Sequence, residues 1–339
     1  MLHGSGMQAY YSPASGTEAP EQRLQGSSVM CGIAGYWSKA DADTAAGDVL
    51  LSMLTGLGQR GPDSAGIALF TSEPRPLEVA WIRIPAGVDP DPAEQLVRDR
   101  TALIARIDRI TRRPGLLRLE LTRRGTVGEL RSALERPGED YEIVSLGRHL
   151  ELVKQVGSPA QLEDTFEIGA AQGSHGIGHT RLSTESRVDL THSQPFWARG
   201  VPDLATVHNG HITNYHKLRR RYEQRGVRFF SENDSEVIGV YLADQLDRGC
   251  TLEEAVARSL DDLDGSFTYL VATADAIGYA RDPFALKPLI TVETDDYVAI
   301  ANEELAIRSA LGQDGVAHEP TGHVSRIWRR PVRQATAAA

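Results

Sequence analysis

From Ser266 to Ala301 the chain reads in period two: SFTYLVAT, IGYAR, PLITV and YVAIA are short apolar runs, with Ala274-Asp275 and Asp295-Asp296 at the bends. Runs of this kind put successive side chains on opposite faces of a sheet, and short polar bends join antiparallel neighbours, so two hairpins are predicted. CGIAGYW from Cys31, SAGIALF from Ser64, GIGHTRL and LATVHNG read as further strands, the last two buried and ending in polar residues. Helices are predicted over Asp48 to Leu57, Tyr215 to Arg225 and Ser235 to Leu246, where Val237, Ile238, Tyr241, Leu242 and Leu246 share one face. Capping patterns mark helix starts at Asp91-Pro92-Ala93-Glu94, Ser158-Pro159-Ala160-Gln161 and Thr251-Leu252-Glu253-Glu254. Strands joined by hairpins, without regular βα alternation, predict an α+β chain in which layers of antiparallel sheet are covered by helices.

The domain boundaries follow from composition. Residues 1–30 are rich in Gly, Ser, Pro and Gln and too poor in aliphatic side chains to offset the entropy of ordering, which predicts a disordered or removed segment without the layout of a secretory signal. The domain itself is predicted over residues 31–315, with an arginine-rich insertion at about 90–137 and a tail over 316–339, basic and frayed from Arg326. Ten arginines lie between Arg98 and Arg131, interleaved with Leu and Ile at helical spacing. They read as a solvated helical face, with a docking surface for an acidic partner as the alternative. A net charge of −10 leaves no electrostatic footprint for nucleic acid. Only Cys31 and Cys250 occur, too few for a disulfide scaffold, and apolar runs fall short of the ~20 residues of a spanning helix. A cytoplasmic protein that neither crosses a membrane nor binds nucleic acid is expected.

Chemistry-bearing residues fall in separate motifs. Cys31 follows Met30; were Cys31 the first residue, its thiol would stand beside an α-amine whose pKa of about 8 suits a general base. Read alone, Cys31 is a small buried core cysteine whose following glycines mark a tight strand, and it is the other motifs that favour the catalytic reading. RGPDSAG, from Arg60 to Gly66, is a turn-rich loop by itself. GHTRLSTES puts Arg181 at a strand end near the hydroxyls of Thr180, Ser183 and Thr184, a natural clamp for a carboxylate. VHNG supplies an Asn209 side-chain amide and a Gly210 backbone N–H that could meet one oxyanion. SENDSEVIG sets Asp234 near a helix start, as a plain cap or as an anchor for a substrate ammonium. Together these groups suit an α-amino acid with an amide side chain.

The ordered set CGIAGYW, RGPDSAG, GHTRLSTES with THSQPF, VHNGHITNYHKLRRR, NDSEVI and RDPFALKPL resembles the class II glutamine amidotransferase domain, an N-terminal-nucleophile hydrolase with a four-layer αββα sandwich. The resemblance runs from Cys31 to about Ala310, and TES, HSQPF, NYHKLRR and TDDYVAIA are most similar to stand-alone amidotransferase subunits of glutamate-synthase-like and N-methylglutamate-synthase-like complexes. It implies Cys31 as nucleophile with its own amine as base, Asn209 with Gly210 as oxyanion hole, Arg181 and Asp234 with Thr184 as glutamine-binding groups, and Arg60 as an ordering residue near the nucleophile. It also implies that Met30 is the start and is trimmed. No metal or cofactor is expected on this chain; FMN or an iron–sulfur group is expected only on a flavin-containing synthase partner that accepts the ammonia, with a 2-oxo acid such as 2-oxoglutarate, or an amine-bearing variant of that chemistry, as acceptor. Leu182 stands where many members carry Trp, and Glu185 where some carry His. Two alternatives stay open: a catalytically silent regulatory or assembly subunit, and an amidase for another amide. Six of the ten histidines lie between His175 and His216, but no HExxH helix accompanies His208 and His211, so a metal site is not expected.

Overall fold

Cys31 leads straight into β1 (Gly32–Ser38), every residue of which is buried. The computed structural model describes residues 31–40, 42–58, 61–182 and 189–330. After β1 come α1 (Ala46–Gly56), β2 (Ser64–Phe70), β3 (Glu78–Arg83), α2 (Pro90–Thr101), β4 (Ala105–Arg113), β5 (Leu116–Arg123), α3 (Val127–Leu134), β6 (Glu142–Gly147), β7 (Leu150–Val156) and α4 (Pro159–Phe166). The second half holds β8 (His175–Arg181), β9 (Phe196–Trp197), β10 (Leu204–Ile212), α5 (Tyr215–Glu223), α6 (Glu236–Asp247), α7 (Leu252–Asp262), β11 (Gly265–Thr273), β12 (Ala276–Arg281), β13 (Ile290–Glu293), β14 (Tyr297–Ala301), α8 (Glu304–Leu311), β15 (Ala317–His318) and β16 (Val324–Arg329). Both predicted hairpins form, as β11–β12 and β13–β14.

The first sheet has the order β15-β13-β14-β1-β8-β2-β7 and the second the order β16-β12-β11-β10-β9. They stack face to face. Ala205, Val207, Leu270, Ala272 and Ile277 of the second sheet join the same core as Ile33, Ile67 and Ile300 of the first. Gly35 lets the layers close, because a Cβ there would lie 3.1 Å from Leu270 and 3.2 Å from Ile277. On the outside of the first sheet, α1 seats Leu50 and Leu54 in the space left by Gly176 and Gly178 of β8, and each such fully buried leucine contributes about 2 kcal/mol. On the outside of the second, Val237 and Tyr241 of α6 and Val256 and Leu260 of α7 cover Phe267, Tyr269 and Val271. The result is the expected α+β arrangement, a four-layer αββα sandwich. Among the described residues no helix is long and apolar enough to cross a membrane.

Three local expectations are corrected. The arginine-rich segment is not one helical face: Arg98 and Arg100 lie on α2 and Arg131 on α3, but Arg106, Arg109, Arg112, Arg113, Arg118 and Arg123 lie on β4 and β5 of a third sheet, of order β4-β5-β3-β6. A register shift in β4 between Ile107 and Arg109 breaks the period-two pattern, so that Ile107 and Ile110 fall three apart as they would on a helix. Many of its arginines are matched by carboxylates of this same chain, among them Arg112 with Asp91 at 2.6 Å, Arg118 with Glu151 at 2.6 Å and Arg123 with Glu78 at 2.8 Å. The residues predicted as a tail enter the fold as β15 and β16, the latter pairing Ser325 with Ala280 and Ile327 with Gly278 along the edge of the second sheet. Finally, α2 is capped by Asp89, which accepts from the Asp91 N–H at 2.9 Å, whereas Ser158 and Thr251 cap α4 and α7 as predicted.

Candidate functional site

Strand β8 lies between β1 and β2 and runs antiparallel to both, so its last residues rise beside Cys31: Thr180 pairs with Gly32, and Arg181 with Ser64. Residues 61–63 of the RGPDSAG motif cross over this strand end. A Cβ at Gly61 would sit 2.5 to 2.7 Å from the backbone N, C and O of Arg181, and the Asp63 N–H donates to the Arg181 carbonyl at 3.0 Å. A motif that reads as a plain loop is therefore a strap across Arg181, and only glycine passes at that distance. The Arg181 side chain is 4% exposed and donates Nη1 to the His192 carbonyl at 3.0 Å.

From the facing sheet, β10 brings Asn209 and Gly210. Asn209 donates Nδ2 to the carbonyl oxygen of Cys31 at 2.8 Å. Gly210 has φ 138°, and a Cβ there would lie 2.2 Å from the Ser266 carbonyl, so both backbone conformation and close approach exclude any other residue. Asp234 stands two residues before α6; its Oδ2 accepts the Ile212 N–H at 2.7 Å, and its Oδ1 lies 3.8 Å from His208 Nδ1. Behind it, His208 Nδ1 meets Ser235 Oγ at 2.7 Å, while Gln194 accepts from the His208 N–H at 2.6 Å and donates to Ser235 Oγ at 3.1 Å. At the start of β1, Asn302 accepts the Ile33 N–H at 2.5 Å and donates to the Pro288 carbonyl at 2.8 Å, which links the strand that follows Cys31 to the loop bearing Lys287.

Cys31, Arg181, Asn209, Gly210 and Asp234 line one cavity of about 1050 Å³, together with His192, Gln194 and Lys287. Thr184 and Arg60 lie outside the described residues. Reading the sequence missed Gln194, Ser235, Lys287 and Asn302 as individual side chains. The first three sit inside motifs that were legible, but their partners are distant in sequence, so spacing could not assign them. Among the described residues no group of three or more His, Cys, Asp or Glu is placed to hold a metal ion.

Burial pushes the Cys31 thiol pKa up, opposed by backbone hydrogen bonding from Leu182 and by the positive charges of Arg181 and Lys287. The thiol is therefore mostly protonated at neutral pH and needs a base. His208 is held neutral by burial, against the pull of Asp234. His179 is pushed down to about 3 by burial, with His208 and Arg181 adding to the effect. Neither of these imidazoles is a cation that could stabilise a thiolate. What the arrangement offers is a thiol, an adjacent amide donor, a guanidinium and a carboxylate around one space.

A family model described as a glutamine amidotransferase domain matches residues 179–309. Over 301 residues the chain is 35% identical to a Methanothermobacter thermautotrophicus protein assigned as a glutamine amidotransferase, the match covering 87% of this chain and 98% of that one. It is also 35% identical over 306 residues to the glutamine amidotransferase-like protein GlxB of Rhizobium meliloti, covering 88% and 95% of the two chains. Among solved structures, glutamine phosphoribosylpyrophosphate amidotransferase from B. subtilis superposes with a TM-score of 0.57 at 19% identity, a likeness of fold that takes in 88% of this chain and 49% of that one.

Proposed function

Because this chain belongs to the class II glutamine amidotransferase family, we propose that it hydrolyses the side-chain amide of L-glutamine through a Cys31 thioester and supplies the ammonia to a partner synthase subunit of glutamate-synthase-like type. The observation that carries this reading is the convergence of Cys31, Arg181, Asn209 with Gly210, and Asp234 on a single cavity. Arg181 takes the α-carboxylate and Asp234 the α-ammonium, which leaves the amide carbon for the sulfur.

In the reaction, the Cys31 α-amine, free once the upstream peptide bond is cut, accepts the thiol proton as sulfur attacks the amide carbon. One amide hydrogen of Asn209 is engaged by the Cys31 carbonyl. The second, with the Gly210 N–H, meets the developing oxyanion. The tetrahedral adduct collapses, the amine returns its proton to the departing nitrogen, and ammonia leaves a glutamyl thioester. Water then cleaves the thioester to glutamate and restores the thiol. The partner is read as flavin-containing, with the ammonia acceptor a 2-oxo acid.

Glutamine hydrolysis by protein whose first residue is Cys31, abolished in Cys31→Ala, tests the proposal. A second reading, a silent subunit of the same fold, draws on the 30 residues that precede Cys31 in the sequence; the same assay separates the two, since a silent subunit releases no ammonia in either form.

A further inference from the structure

The loop that carries Asp234 is fastened to the third sheet. Arg199, two residues beyond β9 with a side chain 5% exposed, donates Nη1 to Glu135 at 2.7 Å, Nη2 to Glu142 at 2.8 Å and Nε to Glu236 at 3.2 Å. Glu135 follows the last residue of α3 and Glu142 opens β6, so both belong to the third sheet and its helices. Glu236 is the first residue of α6, two beyond Asp234. Its carboxylate gathers the loop: Oε1 accepts the Phe230 N–H at 3.1 Å, and Oε2 accepts the Ser231 N–H at 2.9 Å and the Ser231 hydroxyl at 2.7 Å. The guanidinium groups of Arg199 and Arg228 both lie over the Phe230 ring, at 4.0 and 4.3 Å. Arg228 in turn donates to the carbonyls of Glu135, Arg136 and Glu139, at 3.1, 2.9 and 3.2 Å.

Residues 228–236 therefore hang from the connection between α3 and β6. That connection contributes no residue to the lining of the catalytic cavity among the described residues. The charges at the junction are matched, with Arg83 on Glu142 at 2.9 Å and Arg131 on Glu135 at 3.1 Å beside the Arg199 contacts. In such a buried cluster, removing one partner leaves the others uncompensated and drives their neighbours to rearrange.

We propose that Arg199 is a positioning residue for the substrate ammonium: by holding Glu236 it ties the placement of Asp234 to the third sheet, which thereby sets the affinity for the amino-acid end of glutamine. This rests on the reading of Asp234 as the ammonium anchor. Arg199 is absent from the lining of the cavity, so its effect is on binding and passes through the loop that carries Asp234.

The test is steady-state glutamine hydrolysis by the full-length protein, processed to Cys31, in the wild type, Arg199→Met, Arg199→Lys and Glu142→Gln. The second readout is competitive inhibition by glutaramic acid, which is glutamine without its α-amino group. Arg199→Met is expected to raise KM for glutamine by about 10- to 30-fold with kcat within about 2-fold, and Arg199→Lys to recover part of the loss. The inhibition constant of glutaramic acid stays within about 2-fold, because that ligand makes no use of Asp234. Should Arg199→Met fail to fold, Glu142→Gln carries the test, with KM raised by about 3-fold and the same indifference of glutaramic acid. An unchanged KM in a folded, active variant overturns the proposal, as does a parallel weakening of glutaramic acid, which would signal general loosening. A wild type that neither hydrolyses nor binds glutamine overturns the glutaminase reading itself, and this proposal with it.

Discussion

Asn209 donates its side-chain amide to the carbonyl of Cys31 at 2.8 Å, joining a strand of one sheet to the residue that opens the central strand of the other. Cys31 and the amide that binds its carbonyl are thus held by opposite layers of the sandwich. Replacing Asn209 by Ala should lower kcat by about 100- to 1,000-fold with little change in KM, as for loss of one oxyanion donor. Steady-state kinetics with glutamine checks this; a change confined to KM would remove Asn209 from the transition state.

Asp234→Asn keeps a side chain of the same shape beside Ile212 but removes the negative charge. KM for glutamine should rise by about 10- to 100-fold, since a ligand ammonium then enters without its counter-charge. Glutaramic acid should bind the variant and the wild type alike. If another amide lacking the α-ammonium is turned over better than glutamine by the wild type, the substrate assignment is wrong.

Gly61→Ala would place a methyl group 2.5 Å from the backbone of Arg181. Relief of that overlap must move either the strap or the end of β8, with a cost of about 1 to 3 kcal/mol. The folded fraction should show a raised KM with the thiol still reactive to alkylation. Wild-type stability and kinetics in this variant would mean that the loop yields freely.

Burial raises the Cys31 pKa and the charges of Arg181 and Lys287 oppose the rise. Lys287→Met should therefore move the pH profile of iodoacetamide alkylation further to the alkaline side. A profile unmoved or shifted to lower pH would deny Lys287 any electrostatic role at the sulfur.

Lys154, buried on β7 and donating to the Ser193 carbonyl at 2.8 Å, has its pKa pushed down by burial to about 8. Unfolded lysine holds its proton to about 10.4, so between those values the unfolded chain binds more protons and stability rises with pH. Lys154→Met should flatten that rise by up to about 1.4 kcal/mol per pH unit, measured by denaturant unfolding across the window. An identical slope in the variant would show that Lys154 keeps its proton throughout.

Much of the sandwich is legible in the sequence because its strands and helices keep a single period: YVAIA and SFTYLVAT alternate, and Ser158 and Thr251 carry complete capping boxes. The third sheet is hidden because the bulge in β4 gives its isoleucines helical spacing, and because strands rich in charge-paired arginine look like solvated surface. Strand β16 is hidden for a related reason, since Arg326 and Arg329 suit an exposed sheet edge and resemble a basic tail. At the site, Cys31, Arg181, Asn209, Gly210 and Asp234 are readable from residue type. The strap at Gly61 and the Arg199 junction are not, because each depends on a contact between segments more than 30 residues apart.

If Cys31, with its own amine free, takes the glutamyl group from glutamine, the adduct is present during turnover. Acid-quenching the native enzyme during turnover, followed by peptide mass spectrometry, tests it most directly. A glutamyl adduct is expected on the sulfur of a peptide whose first residue is Cys31, absent in Cys31→Ala. An enzyme that turns over glutamine while the labelled peptide still carries Met30 would contradict it.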